Sequence, residues 1–97
     1  MKQTLEYINK GRGGFIVYKD NESEFKMEFE YGGGNCVAII YIPKADLWES
    51  KTNISIENRQ QVLDFIAQQS IKDQAPNSTF TISKDCIEIF QNKTMKE

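Results

Sequence analysis

The residues Glu24-Phe25-Lys26-Met27-Glu28-Phe29-Glu30-Tyr31 alternate charged and apolar side chains without a break. An extended strand repeats every two residues, so Phe25, Met27, Phe29 and Tyr31 share one face while Glu24, Lys26, Glu28 and Glu30 share the other. The pattern demands a sheet with one face in a core and one in water. Taken back to Asp20, the window sets Asp20, Glu22, Glu24, Glu28 and Glu30 against Lys26 alone, a net charge of −4. The whole chain carries −2, which leaves +2 for everything outside the window. The acidity is local.

A chain of 97 residues with six Phe, four Tyr and one Trp has the material for one globular core. A single domain is expected over residues 1–91, with a frayed polar tail over 92–97. The absence of histidine is the strongest chemical exclusion. Without it the chain cannot build a Ser-His-Asp or Cys-His pair, a His-ligated zinc site, or the usual general base poised near neutral pH. No catalytic residue, cofactor or metal is expected. Cys36 and Cys86 match no metal-ligand spacing and read as free buried thiols. The first residues carry charge where a signal peptide needs an apolar core, and no run approaches membrane-spanning length. A cytoplasmic location follows, and the Asn-x-Ser/Thr triplets at Asn53, Asn77 and Asn92 are then coincidental. A near-neutral chain with an acidic stripe argues against nucleic acid, whose phosphates reward basic surfaces.

The order of elements follows from punctuation. Thr4 to Asn9 reads as a short strand, Gly11-Arg12-Gly13-Gly14 as a turn, and Phe15 to Lys19 as a second strand. Asp20-Asn21-Glu22-Ser23 turns the chain into the alternating strand, and Gly32-Gly33-Gly34-Asn35 turns it out again. Cys36 to Ile42 is apolar at every position, as in a strand that is covered on both faces or lies centrally, and Pro43 stops it. After a loop containing Trp48 and Glu49, Ser55 is an N-cap and Glu57 suits the positive end of a helix dipole. From Ile56 to about Ser70, helical spacing gathers Ile56, Val62, Leu63, Ile66 and Ala67 on one arc with Phe65 at its border. Phe80 and Ile82, then Ile87 and Ile89, alternate with polar residues as a closing hairpin or one bent strand. The fold class is α+β: an antiparallel sheet, built from an N-terminal meander and a C-terminal hairpin, with one helix packed on one face.

Each candidate site has a structural alternative. The glycine turn at residues 11–14 lacks the Gly-Lys-Ser/Thr ending of a phosphate loop and reads as a hairpin turn. Arg59 falls inside the apolar arc, where a guanidinium runs its stem to the surface or meets a carboxylate; Glu49 is its expected partner in a helix-to-loop clamp. Trp48 is either a lid on the core or an anchor for a partner. The acidic window is either a solvated face whose charges oppose edge-to-edge strand pairing, or a binding surface. Same-sign neighbours repel, and carboxylates on alternate residues lie about 6 to 7 Å apart, close to phosphate spacing in a nucleic-acid strand.

The run from the apolar strand through Trp48-Glu49, a short polar loop, Glu57, Arg59, Val62-Leu63 and Ile66 resembles small immunity proteins of bacterial polymorphic-toxin systems, over about a third of the chain. The resemblance implies a cytoplasmic non-enzyme that binds one cognate toxin domain and blocks it; it carries over no specific binding residue. Together with the acidic strand, it gives the expectation of a binding protein directed at a cationic toxin, such as a basic nuclease, through Asp20, Glu22, Glu24, Glu28 and Glu30, with Trp48 and Glu49 at the rim. The alternative is a structural or regulatory domain that homodimerises or docks through a sheet edge.

Overall fold

The computed structural model describes residues 2–91. Among them are six strands, β1 (Thr4–Asn9), β2 (Gly13–Lys19), β3 (Glu24–Tyr31), β4 (Cys36–Tyr41), β5 (Ser78–Ile82) and β6 (Cys86–Gln91). They form one sheet in the order β1-β2-β3-β4-β6-β5, antiparallel at every pairing. The meander is built by hairpins whose turns have the expected chemistry. Lys10 N–H bonds the Gly13 carbonyl at 2.7 Å, and Asp20 N–H bonds the Ser23 carbonyl at 2.9 Å. The C-terminal pieces form a hairpin rather than one bent strand. β6 inserts beside β4 and places β5 at the far edge. The expected fraying of 92–97 lies outside the described residues.

The alternation in β3 resolves as expected: Phe25, Met27 and Phe29 are buried, and Glu24, Lys26, Glu28 and Glu30 are exposed. Tyr31 shares the inward face but is 49% exposed, because the helical layer does not reach that end of the strand. On the same side stand Ile16 and Tyr18 of β2, Ile40 of β4, and Ile87 and Ile89 of β6. β4 satisfies the central reading of its apolar run, lying between β3 and β6.

The helix expected from Ile56 begins as a 3₁₀ turn, Ile56–Asn58, where the Ser55 hydroxyl accepts the Glu57 N–H. A second, longer helix then runs over Arg59–Gln74, four residues past the expected end. It is preceded by α1 (Ala45–Thr52) where a loop is expected, so Arg59–Gln74 is α2. The arc of α2 buries Val62, Leu63, Ile66, Ala67 and Ser70. Each buried leucine or isoleucine contributes about 1.5 to 3 kcal/mol. Ile56 departs from that arc and is 40% exposed, since the 3₁₀ turn does not keep the α-helical rotation.

α1 buries only Trp48 and Thr52, one turn apart. The Thr52 hydroxyl donates to the Trp48 carbonyl at 2.8 Å and accepts the Ile54 N–H at 3.0 Å. Asn53, at φ 62°, ends the helix with its N–H on the Glu49 carbonyl, a role for which Asn tolerates the left-handed region. Cys36 and Cys86 are free and half-buried. They sit at opposite ends of the β4–β6 ladder, opposite Phe90 and Tyr41 respectively, too far apart to be bridged.

Candidate functional site on the open sheet face

Because both helices pack on one side, the other face of the sheet is left open. Register decides what meets there. Glu30 of β3 stands opposite Gly13 on one side and Ile39 on the other; Ile39 in turn faces Glu88, and Glu88 faces Thr81. Glu28 faces Phe15, which faces Ile8. Lys26 faces Val17, which faces Glu6. Adjacent strands lie about 4.8 Å apart, so Glu30 and Glu88 are separated by about 10 Å across Ile39.

The result is a mixed surface. Carboxylates of Glu6, Glu24, Glu28, Glu30 and Glu88 alternate with apolar groups from Phe15, Ile39, Tyr41 and Phe90. Lys19 and Lys26 share the face with these carboxylates: Lys19 stands opposite Glu24 in register, and Lys26 Nζ lies 4.6 Å from the centroid of the Phe15 ring. Tyr41, 40% exposed, has its hydroxyl pKa raised by desolvation and then by the negative charge of Glu30, with Cys86 and Glu28 adding to it. Burial of the hydroxyl first, and the nearby Glu30 carboxylate second, disfavour its ionised form.

The seven residues expected at the site do not form one surface. Glu24, Glu28 and Glu30 lie together on the open face. Asp20 and Glu22 lie at the β2–β3 turn, at one end of the sheet. Asp20 is engaged there, accepting the Glu22 and Ser23 N–H groups at 2.9 and 2.8 Å and the Tyr18 hydroxyl at 2.7 Å. Partial desolvation works to raise the Asp20 pKa, but the three hydrogen bonds together outweigh it and hold the carboxyl below its usual value. Glu22, at the tip, is exposed.

Trp48 and Glu49 belong to α1, in the layer across the sheet from the carboxylates, so the expected rim is not formed. Trp48 is fully buried, edge-on to Phe25 at 5.5 Å, with its indole N–H on the Ser55 carbonyl at 3.3 Å. It is a core lid and offers no surface to a partner. The Glu49 carboxylate accepts the Ile56 N–H at 2.8 Å and holds the start of the 3₁₀ turn. Arg59 therefore clamps helix to loop through other partners. Its guanidinium donates to the Pro43 carbonyl at 2.8 Å and the Lys84 carbonyl at 3.1 Å, and lies 5.6 Å from the Trp48 ring.

Sequence reasoning missed Glu6, Glu88 and the aromatic part of the face, because strand order alone brings them beside β3. The signal present was the alternation in Cys86-Ile87-Glu88-Ile89-Phe90, which fixes Glu88 and Phe90 on the face opposite Ile87 and Ile89. Among the described residues, no cluster of His, Cys, Asp and Glu is placed to hold a metal ion, and no helix is long and apolar enough to cross a membrane. No family model matches the chain, and neither a curated protein nor a solved structure shows significant similarity to it.

Proposed function

We propose that the chain is a non-catalytic binding protein, an immunity protein that neutralises a cognate bacterial toxin domain through the open sheet face. The observation that carries this reading is the place of β3. It is paired with β2 from Glu24 to Glu30 and with β4 over Phe29, Glu30 and Tyr31. Glu30, like Glu88 two strands away, is therefore flanked by a strand on each side and protects no free edge. Clustered like charge that guards no edge opposes folding without a structural return, and a cationic partner supplies one. The apolar groups between the carboxylates add the desolvated contact area that a charged face lacks.

The partner class that fits is a basic toxin domain, a nuclease foremost, whose substrate groove would take a row of carboxylates at near-phosphate spacing. The reaction of that toxin is not encoded in this chain. The test co-expresses this chain with the C-terminal domain of a large secreted protein, where one is encoded immediately upstream. Reversing Glu28 and Glu30 to lysine is expected to slow association and flatten its salt dependence. Protection and binding unchanged in the double reversal would sink the reading.

A second reading has its own observation: β1 and β5 are each paired on one side only. Either edge offers unpaired backbone groups to a second copy or a partner strand. Sedimentation at high concentration separates the two, since a strict monomer removes edge-mediated homodimerisation.

A further inference from the structure

β5 forms one edge of the sheet, and its pairing with β6 fixes which of its backbone groups are free. The Ser83 N–H bonds the Cys86 carbonyl at 2.9 Å, so the pairs that exchange hydrogen bonds up this hairpin are Ser83 with Cys86, Thr81 with Glu88 and Thr79 with Phe90. Gln91, opposite Ser78, points its N–H the other way, to the Asn35 carbonyl. Ser78, Phe80 and Ile82 therefore direct their N–H and C=O groups outward, and among the described residues those groups meet no partner. The devices that usually blunt such an edge are missing from it. β5 carries no charged residue and no proline, and its ladder with β6 has no bulge. The opposite edge, β1, carries Glu6 and has Lys2 and Lys10 close to its ends.

We infer that β5 pairs antiparallel with β5 of a second copy of this chain, on a two-fold axis through Phe80. The strand is complementary to itself about that axis. Phe80 exchanges both backbone bonds with its counterpart, while Ser78 pairs with Ile82 of the second copy and Ile82 with its Ser78. On the helix side, where Phe80 stands beside the buried Ile89, the two half-buried phenyl rings meet. On the open face, Thr79 meets Thr81 of the second copy, a cross-strand pair of the kind that stabilises sheets. The row across the joint reads Glu88, Thr81, Thr79, Phe90, so no like charges are opposed. The axis stands perpendicular to the sheet, which leaves both open faces on the same side and joins their carboxylate rows into one surface. The inference rests on the edge-pairing reading above and is independent of what the open face binds. A five-residue strand buries less than a standard interface, so the dimer is weak, with a Kd of about 0.1 to 1 mM.

Sedimentation equilibrium of the full chain supplies the test. The mean mass is expected to rise above the monomer's 11.2 kDa as concentration passes about 0.1 mM. Thr79→Lys/Thr81→Lys changes two exposed side chains and opposes like charges in both threonine pairs; it is expected to stay monomeric. Thr79→Glu/Thr81→Lys sets opposite charges in the same pairs and is expected to associate about threefold to tenfold more tightly than the native chain. A native chain that stays monomeric at every concentration would overturn this pairing and the edge-pairing reading together. A dimer that survives the double lysine change, or a charge-swapped variant no tighter than the double lysine one, would overturn the β5 pairing alone.

Discussion

The Tyr18 hydroxyl donates a 2.7 Å hydrogen bond to Asp20 Oδ2, joining the last buried ring of β2 to the turn that launches β3. The same hydroxyl oxygen accepts from Gln3 Nε2 at 3.0 Å, so one phenol ties the N-terminal segment, strand and turn together. The pair makes stability depend on pH at both extremes. Asp20 titrates below its ordinary value of 3.8 in the fold, so its contribution is complete above that value and is lost as pH falls through the lowered one. Tyr18 is pushed up from 10.0 to about 12, chiefly by burial, so its contribution is complete below pH 10 and is lost as pH rises toward 12. Urea midpoints measured across pH should fall at both ends. Asp20→Asn should flatten the acid limb. Tyr18→Phe should reduce the alkaline slope without abolishing it, because burial and the Asp73 hydrogen bond also raise Tyr7.

The carboxylate row makes a prediction that needs no partner. If Glu28 and Glu30 repel each other and Glu88 across the open face, Glu30→Gln should raise stability by about 0.3 to 0.5 kcal/mol at low ionic strength. The gain should vanish in high salt. Spectrophotometric titration supplies an independent readout: the raised Tyr41 pKa should move back toward 10.0, because Glu30 is its main charged neighbour. A Tyr41 titration indifferent to Glu30→Gln would remove the electrostatic description of this face.

How much of this was legible in advance follows the range of the interactions. The eight alternating residues of β3 carry their own burial pattern, and Ser55 with Glu57 carries the start of the second helical segment, since both are set within a few residues. α1 was not legible because only Trp48 and Thr52 are buried, which is too few to write a helical period, and it is held by partners outside itself at Ser55 and Phe25. Charge alone pairs Glu49 with Arg59. In the fold each finds backbone partners that sequence cannot place, and the Ile56 N–H and the Pro43 and Lys84 carbonyls win. The candidate face depends on β6 lying beside β4, a pairing between residues about 50 apart in the chain. Local pattern has no access to that choice.

Trp48 is the sole tryptophan, so its fluorescence isolates one position in the core. With no exposed surface it should emit at short wavelength and resist quenching by iodide and acrylamide until the chain unfolds. Binding of a partner to the open face should leave that emission unchanged. Trp48→Phe should cost about 1 to 3 kcal/mol, from lost volume against Phe25 and from the Ser55 carbonyl left without its indole donor. An exposed emission in the native state would move α1 off the core.

The glycine turn makes the sharpest stability contrast. Gly14 sits in β2 opposite Asn9 on one side and Phe29 on the other, so its backbone is held from both directions. A Cβ built there runs into the Ile8 carbonyl oxygen, a backbone atom that cannot yield without opening the β1–β2 ladder. Gly14→Ala should therefore cost about 2 to 4 kcal/mol and should loosen β1 first, seen as faster amide exchange from Leu5 to Ile8. Gly33, in the β3–β4 turn, has open space around the same position, and its φ is not in the left-handed region. Gly33→Ala should be neutral within about 0.5 kcal/mol or slightly stabilising, because it reduces the freedom of the unfolded chain without meeting any atom of the folded one. Equal effects at the two glycines would mean that β1 does not lie against β2 in this register.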